Sequence, residues 1–265
     1  FDLRYGPLLR ANLLRLAEND HVLLFTLHHI VSDGWSMGIL ADEVVNLYTA
    51  YVEGRPSALS ELPIQYADFA IWQHQWFNRK ALEPQLSYWR RRLGGEIPLL
   101  QLPTDRSRPA IQTFNGARRV LSISPALTSA LRSAGQREGV TLFMTLLAAF
   151  QALLNYYTGQ TEFTIGSPIA NRARAELERL IGCFVNTLVL RADLRGNPTF
   201  AGLLARVKEV ALEAYAHQDV PFEKLVEELQ PARDVSHSPL FQIMFVLQNA
   251  PREAFQLPNL TLSAI

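Results

Sequence analysis

The sequence predicts a mixed α/β fold in which helices and strands form layers. Short apolar runs typical of buried strands, such as residues 21–29 and 184–194, alternate with segments whose apolar residues recur every three or four positions, such as residues 35–51 and 199–218. The chain of 265 residues is 48% hydrophobic and 19% charged, which suits a globular protein with a sizeable core. Regular alternation of strands and helices is typical of an α/β arrangement.

The first hundred residues predict one strand followed by three helices. The continuous apolar run HVLLFTLHH, residues 21–29, predicts a strand buried on both faces. A helix follows over residues 35–51, and Ser32 or Asp33 can cap its start. Residues 63–93 predict two more helices.

The second half of the chain predicts four strands and four helices after a long connection. Residues 101–116 contain prolines, a glycine and little periodicity, which favours a connection between a first half, 1–100, and a second half, 117–265. Ser124 can cap a helix that has Pro125 at its first position. The predicted strands are 117–124, 184–194, 239–250 and the first part of 161–172, which runs into a loop. The predicted helices are the one capped by Ser124, an apolar core helix over 141–159, and the segments 199–218 and 221–229.

Charge and cysteine content narrow the classes of function. The formal net charge is zero, so no overall field favours nucleic acid or an anionic membrane. No apolar run is long enough to span a bilayer. The one cysteine, Cys183, excludes an internal disulfide and favours a reducing compartment, which predicts a cytoplasmic location. Cys183 lies in an apolar run without a nearby histidine in sequence, which favours a buried structural thiol.

The stretch LHHIVSDGW, residues 27–35, holds the candidate catalytic residues. It places His28 and His29 at the end of a strand and Asp33 before a helix, and catalytic side chains often lie at such junctions. Successive strand residues point to opposite faces, so one histidine is expected to face a cavity and the other to pack away from it. Asp33 can orient the histidine or form a buried carboxylate with an arginine partner. Gly34 permits a tight turn and a close approach of substrate.

Other chemistries find little support in the sequence. Two imidazoles and one carboxylate lie close together, but no HExxH or CxxC pattern accompanies them, so no metal site is predicted. A serine nucleophile motif GxSxG, a dinucleotide-binding GxGxxG and a phosphate loop are all missing from the sequence.

The motif HHIVSDGWS resembles the HHxxxDG signature of the condensation domains of nonribosomal peptide synthetases. Further segments resemble later motifs of that family in the family's order, and the resemblance runs through nearly the whole chain. These segments are YADFAIWQ (66–73), IGCFVNTLVLR (181–191), HQDVPFEKLVEEL (217–229) and RDVSHSPLFQIMF (233–245). Family members are longer, so the resemblance implies an internal segment with an incomplete first half and a shortened end.

The resemblance implies two chloramphenicol acetyltransferase-like halves arranged in a V, with a tunnel between them. Donor and acceptor groups would arrive on the phosphopantetheine arms of two peptidyl carrier domains, beside a neighbouring adenylation domain, with no cofactor bound directly. By this similarity His29 faces the tunnel and is catalytic, and His28 packs away. Asp33 forms a buried salt bridge, for which Arg172 of SPIANR is the candidate partner, and Asn186 of FVNT is a tunnel candidate.

The sequence leaves three alternatives open. At the histidine motif alone, the chain resembles other thioester-dependent acyltransferases of the same superfamily as closely as it resembles condensation domains. An epimerisation domain carries the same double histidine, but its base removes an α-proton. A non-catalytic module that docks carrier domains or tailoring enzymes is the third alternative. The other motifs favour the amide-forming condensation domain, an acyltransferase of secondary metabolite biosynthesis.

Overall fold

The computed structural model describes residues 1–77, 82–95, 97–113, 115–231, 236–248, 257 and 260–262. Helices and strands are both present, which confirms the mixed α/β class. The chain falls into two compact units. The first unit comprises Phe1–Phe77, Ala170–Val185 and Gln248–Ile265, and the second comprises Asn78–Ile169 and Asn186–Leu247.

The first unit begins with an antiparallel hairpin of β1 (Leu9–Ala17) and β2 (Asp20–Leu27). Strand β1 was missing from the sequence predictions. The prediction that β2 is buried on both faces is wrong, because its residues are exposed or only partly buried. Within the described residues, β1 is its only partner in the sheet, so apolar side chains such as Leu23 and Leu24 stay accessible to solvent.

Helices α1 (Gly34–Val52) and α2 (Tyr66–Phe77) follow the hairpin, and the short helix α6 (Ala175–Glu178) belongs to the same unit. The predicted cap of α1 is confirmed for Asp33, whose carboxylate accepts a hydrogen bond from the Ser36 N–H. A small apolar cluster forms where α2 meets the segment around α6; its buried members are Phe69, Leu177, Leu180 and Phe184.

The second unit contains the large core. Its helices are α3 (Leu82–Leu93), α4 (Pro125–Arg137), α5 (Leu142–Thr158), α7 (Phe200–Ala216) and α8 (Phe222–Leu229). Strands β3 (Glu162–Ile169) and β4 (Asn186–Asp193) pair antiparallel, with Ile165 opposite Leu190. Both strands are largely buried, and α5 and α7 contribute fully buried residues such as Ala148 and Ala211 to the same core. Apolar residues on both faces of β3 and β4 explain why these strands could be recognised as short continuous runs.

Several predicted helix boundaries are confirmed. Ser124 caps α4 with Pro125 at its start, and Thr141 caps the core helix α5. The helices predicted over 199–218 and 221–229 correspond to α7 and α8.

Two strand predictions are wrong. Residues 117–124 form no strand, and Val120 and Leu121 are 76% and 89% exposed, because no described segment pairs with them. The strand predicted over 239–250 is reduced among its described residues to a single parallel bridge between Gly166 and Met244, and residues 249 and 250 lie outside the described part. A strand exists only where a second strand completes its hydrogen bonds, and an apolar pattern does not report that partner.

The two halves predicted on either side of 101–116 stay a prediction. This segment contains neither helix nor strand among its described residues. The motif segment 233–245 lies partly outside the described residues as well.

Candidate active site

The two histidines lie just beyond β2, in a short turn. The strand ends at Leu27, and residues His29–Val31 form one turn of 3₁₀ helix. His28 occupies the position before this turn, and its Nδ1 accepts a hydrogen bond from the Ile30 N–H at 3.0 Å. The sequence suggested that the two rings point apart because successive strand residues alternate. In the structure neither histidine lies in the strand, since His28 caps the turn and His29 begins it.

His28 has a structural environment and His29 an open one. The His28 ring packs edge-on against Phe1, with 5.7 Å between ring centroids. Because its Nδ1 accepts a backbone hydrogen bond, the neutral ring carries its proton on Nε2. The side chain of His29 is exposed, so its imidazole is accessible to a substrate.

The Asp33 carboxylate is the centre of a buried polar cluster. Its Oδ1 accepts hydrogen bonds from the Ser36 N–H and the Ser36 hydroxyl, both at 2.8 Å. Its Oδ2 accepts one from the Phe184 N–H at 3.0 Å. The Arg172 guanidinium donates to both oxygens, at 3.2 and 3.3 Å. The structure thus brings together two residues that the sequence separates by 139 positions.

Arg172 also holds the backbone that follows it. Its Nη1 donates to the carbonyl oxygens of Leu177 and Leu180, at 2.6 and 2.7 Å. Its guanidinium carbon lies 4.2 Å from the centre of the Phe184 ring, within the range of a cation–π contact. Only Nε lacks a hydrogen-bond partner among the described residues. Arg172 therefore compensates the negative charge of Asp33 and also holds the loop that precedes β4.

Ser36 links the same two segments through its hydroxyl. Its Oγ accepts hydrogen bonds from the Arg172 Nη2 at 2.9 Å and the Gly182 N–H at 3.1 Å. Its one proton can be donated either to Asp33 or to the Gly182 carbonyl, which lies 2.9 Å away. Ser36 thus joins the start of α1 to the segment around Gly182.

The cluster favours the charged form of Asp33. Burial by itself acts to raise the pKa of this carboxyl, but hydrogen bonds from the backbone of Ser36 and Phe184, from the Ser36 hydroxyl, and the charge of Arg172 outweigh it. The net result is a pKa below the ordinary value. Asp33 is thus a buried carboxylate whose oxygens are engaged by Ser36, Phe184 and Arg172. These contacts favour the role of ion-pair partner over that of a group orienting His29.

Gly34 opens α1 with an ordinary backbone conformation. Its φ angle is not positive, and a Cβ added there would meet no atom within 4 Å. The turn itself therefore does not require glycine, and close approach of a substrate at this position stays a prediction.

Asn186 belongs to the second unit, at the start of β4. Its Nδ2 donates to the carbonyls of Gln218 and Val220, both at 2.8 Å, and its Oδ1 accepts from the N–H groups of Thr187 and Phe222. The amide therefore fastens the turn between α7 and α8. Its predicted place in a tunnel stays a prediction.

Cys183 differs from its sequence-based interpretation. It is only partly buried, and its Sγ lies 3.7 Å from Nδ1 of His29. The prediction of a buried structural thiol is wrong, because Cys183 is partly exposed and contacts a histidine that lies 154 residues earlier in the chain. No sequence signal marks this contact, except that both residues lie within motif segments.

Metal-binding clusters and membrane spans are both missing from the described part of the chain. No group of three histidine, cysteine, aspartate or glutamate side chains among those residues is arranged to hold a metal ion. None of the described helices alone has the length and apolar character needed to cross a membrane. Helices α4 and α5 together have that length and composition, but their axes are bent by 101° at the break between them.

The family model described as "Condensation domain" matches residues 1–264 of this chain. The chain belongs to the condensation-domain family. This condensation-domain chain is 56% identical to one of the subunits that make up the linear gramicidin synthase of Brevibacillus parabrevis, over 264 residues, which is 100% of this chain but 5% of that protein. The structure is also similar to the X-domain from teicoplanin biosynthesis, with a TM-score of 0.85 and 32% identity over 92% of this chain and 55% of that one.

A third relative is a solved multidomain protein. The four-domain nonribosomal peptide synthetase holo-AB3403, bound to AMP and glycine, gives a TM-score of 0.83 and 27% identity over 94% of this chain and 18% of that one. The condensation-domain chain therefore spans about half of the X-domain and a small share of the synthetases that it matches.

Proposed function

We propose that this chain carries the histidine of an amide-forming condensation reaction in nonribosomal peptide synthesis. The amine of an acceptor aminoacyl thioester attacks the carbonyl carbon of a donor acyl or peptidyl thioester. A C–N bond forms, the C–S bond breaks, and the donor thiol is released. Both thioesters are carried on phosphopantetheine arms of carrier domains, with an adenylation domain as a further partner, and the reaction takes place in the cytoplasm.

The observation that carries this proposal is the contrast between His29 and its surroundings. The His29 ring is exposed, whereas the Asp33 carboxylate four residues later is 0% exposed and fastened to Arg172. Because a buried ion pair fixes the residues that follow the turn, an exposed imidazole on that turn can be oriented toward a substrate. The family membership of the whole chain supports the same reaction.

In this proposal the His29 imidazole moves one proton. As the C–N bond forms, the attacking nitrogen becomes acidic, and Nε2 accepts its proton. The imidazolium then returns the proton to the departing sulfur when the C–S bond breaks. Imidazole suits both steps because it can gain and lose a proton near neutral pH. His28 cannot share this role through Nδ1, which already accepts the Ile30 N–H.

The size of the histidine effect can be bounded from general chemistry. A positioned acid–base group typically contributes about 10²–10⁴-fold to a rate. Holding two reactants in the correct geometry can contribute about 7–11 kcal/mol, which is the larger effect. Removing the imidazole should therefore slow the reaction by about a hundredfold or more without abolishing it.

The test is a single-turnover reaction between two loaded carriers. The chain, with its native flanking sequence, is mixed with a donor carrier and an acceptor carrier, each bearing an amino acid, and the acceptor is weighed by intact-mass spectrometry. We expect a dipeptide on the acceptor, formed about a hundredfold more slowly by His29→Ala. His21→Ala is the matched control, because His21 is also exposed but lies on β2. A folded His29→Ala variant with the normal rate would refute the catalytic role.

The alternatives give different products in the same experiment. An epimerisation domain would leave the carrier masses unchanged in ordinary water and add one deuterium to the aminoacyl group in D₂O. Another acyltransferase would act on an added coenzyme A thioester. A docking module would bind the carriers without changing either mass.

A further inference from the structure

The thiol of Cys183 is a polar neighbour of the His29 ring. The Sγ lies 3.7 Å from Nδ1, a distance at which sulfur can take part in a weak hydrogen bond. Nδ1 is the nitrogen that does not act in the proposed reaction. The contact therefore leaves Nε2 available to a substrate.

The backbone around Cys183 is fixed independently of His29. On one side, the Gly182 N–H donates to Ser36 Oγ, and on the other, the Phe184 N–H donates to Asp33 Oδ2. The Cys183 carbonyl accepts a hydrogen bond from the Tyr66 hydroxyl at 2.8 Å. These three bonds fix the backbone that carries the Cys183 sulfur without any contribution from the His29 ring.

Gly182 shows how closely this segment is packed. A Cβ at this position would lie 2.2 Å from Cδ2 of Tyr66, far inside any normal contact distance. Only glycine lets the segment approach the Tyr66 ring closely enough for the hydrogen bond from Tyr66 to the next carbonyl. The location of Cys183 therefore follows from its neighbours on both sides.

We infer that Cys183 is a positioning residue for His29. Its sulfur accepts a hydrogen bond from Nδ1–H, which holds the ring and favours the tautomer whose Nε2 lone pair faces the substrate. When Nε2 takes up a proton, the ring becomes positively charged and the Nδ1–H···S contact strengthens. This inference rests on the proposed function for its catalytic consequence, but the contact itself can be tested without turnover.

The other charged and titratable groups near this pair are already engaged. The Asp33 oxygens accept hydrogen bonds from Ser36, Phe184 and Arg172, and the described residues contain no carboxylate in an ion pair with His29. Tyr66 is neutral at physiological pH, since burial raises the pKa of its hydroxyl above the ordinary value. His28 is held by the Ile30 N–H. Cys183 is thus the group in this part of the chain that can orient Nδ1.

The first test separates positioning from folding by kinetics. Removing a weak hydrogen bond should lower the rate only modestly. We therefore expect Cys183→Ala to lower kcat by about two- to tenfold, with KM and melting temperature unchanged. Cys183→Ser keeps an oxygen that can accept from Nδ1–H and should recover most of the lost kcat. An unchanged kcat in Cys183→Ala, or equal losses in both variants, would overturn the inference.

The second test needs no peptide formation. Iodoacetamide is added to the folded protein, and the alkylation rate of the peptide that contains Cys183 is followed by mass spectrometry. An imidazole within hydrogen-bonding reach favours the reactive thiolate, so His29→Ala should slow alkylation several-fold. Loss of the ring also opens access to the sulfur, so His29→Phe is tested as well, because its ring still shields the sulfur but has no nitrogen that can bond to it and should slow alkylation several-fold. A rate in His29→Phe equal to or faster than that of the wild type would exclude the contact, and His21→Ala should match the wild type.

The two tests distinguish this inference from the proposed function. If the wild-type protein forms no dipeptide but His29→Ala still slows alkylation, the proposed function fails and the Cys183–His29 contact stands. If dipeptide forms but the alkylation rate does not depend on His29, the positioning role fails alone.

Discussion

The Arg172 guanidinium lies 3.2 Å from the Asp33 carboxylate, and the two side chains are 2% and 0% exposed. An ion pair withdrawn from water in this way gives little net stability compared with an apolar pair of the same size. Removal of one partner is different, because the remaining charge is then buried without compensation. The importance of this pair for the histidine turn can therefore be measured by removing one side at a time.

Asp33→Ala should destabilise the protein by about 3–5 kcal/mol, since it leaves the Arg172 charge buried and also removes the cap of α1. The free energy of unfolding is measured by urea denaturation. Glu227→Ala is the matched control, because Glu227 pairs with Lys224 on the surface at 70% exposure. We expect a change of less than about 1 kcal/mol there. Equal stabilities of Asp33→Ala and the wild type would show that the carboxylate is not buried.

The stabilising effect of Asp33 should depend on pH with a definite sign. Its pKa is lowered in the folded protein from an ordinary value of 3.8, so the folded state binds this proton less readily than the unfolded state. The contribution is therefore fully present above that ordinary value and is lost as the pH falls through the folded pKa.

This dependence is measured as the difference in unfolding free energy between the wild type and Asp33→Asn from pH 6 to acid pH. We expect a constant difference near pH 6 that shrinks at acid pH. Asp193 accepts side-chain hydrogen bonds from Arg195, which lower its pKa to about 2, but it titrates in both proteins and cancels from the comparison. A difference that grows toward acid pH would contradict the assigned direction.

Gly182→Ala should be destabilising because of overpacking. The added Cβ would lie 2.2 Å from the Tyr66 ring, and relief of such contacts typically costs about 1–3 kcal/mol. Gly38→Ala is the matched control within α1, where a Cβ would meet no atom within 4 Å. That change should be neutral or stabilise by up to about 1 kcal/mol through helix propensity. Thermal unfolding of both variants checks the expected order, and a Gly182→Ala variant as stable as Gly38→Ala would contradict the packing.

Asn186→Ala should weaken the turn between α7 and α8. Asn186 is 7% exposed, and its side chain donates to two carbonyls and accepts from two N–H groups. Leaving several of these groups unpaired should cost about 2–4 kcal/mol in unfolding free energy. Asn46→Ala is the control on α1, where the amide bonds to Asp42 alone among the described residues, and a change within about 1 kcal/mol is expected. Similar effects of the two substitutions would argue against a structural role for Asn186.

Helices and caps were the most predictable features of this chain. Ser124 and Asp33 each precede a helix and accept a hydrogen bond from its first turn, which is a local interaction that adjacent sequence can encode. The strands β3 and β4 were predictable for a related reason, since their apolar runs are buried by α5 and α7 of the same unit.

Features that depend on a distant partner were less predictable. The apolar segment 117–124 has strand-like residues but no paired strand in the described structure, and β1 has a partner but no clear apolar pattern. The approach of Cys183 to His29 likewise depends on the hydrogen bonds that Ser36 and Asp33 make with the flanking residues. Local spacing carries no information about such contacts.

The hydrogen bond from the Phe184 N–H to Asp33 joins residues 151 positions apart, which has a consequence for the protein as it leaves the ribosome. At a synthesis rate of about 5–20 residues per second, roughly 8–30 s pass between the addition of Asp33 and that of Phe184. During this interval the nascent chain holds a solvated Asp33 and an unfastened histidine turn. The turn can be fastened only after Arg172 and the following loop have been synthesised, so the hairpin of β1 and β2 can form well before the turn at its end is held in place.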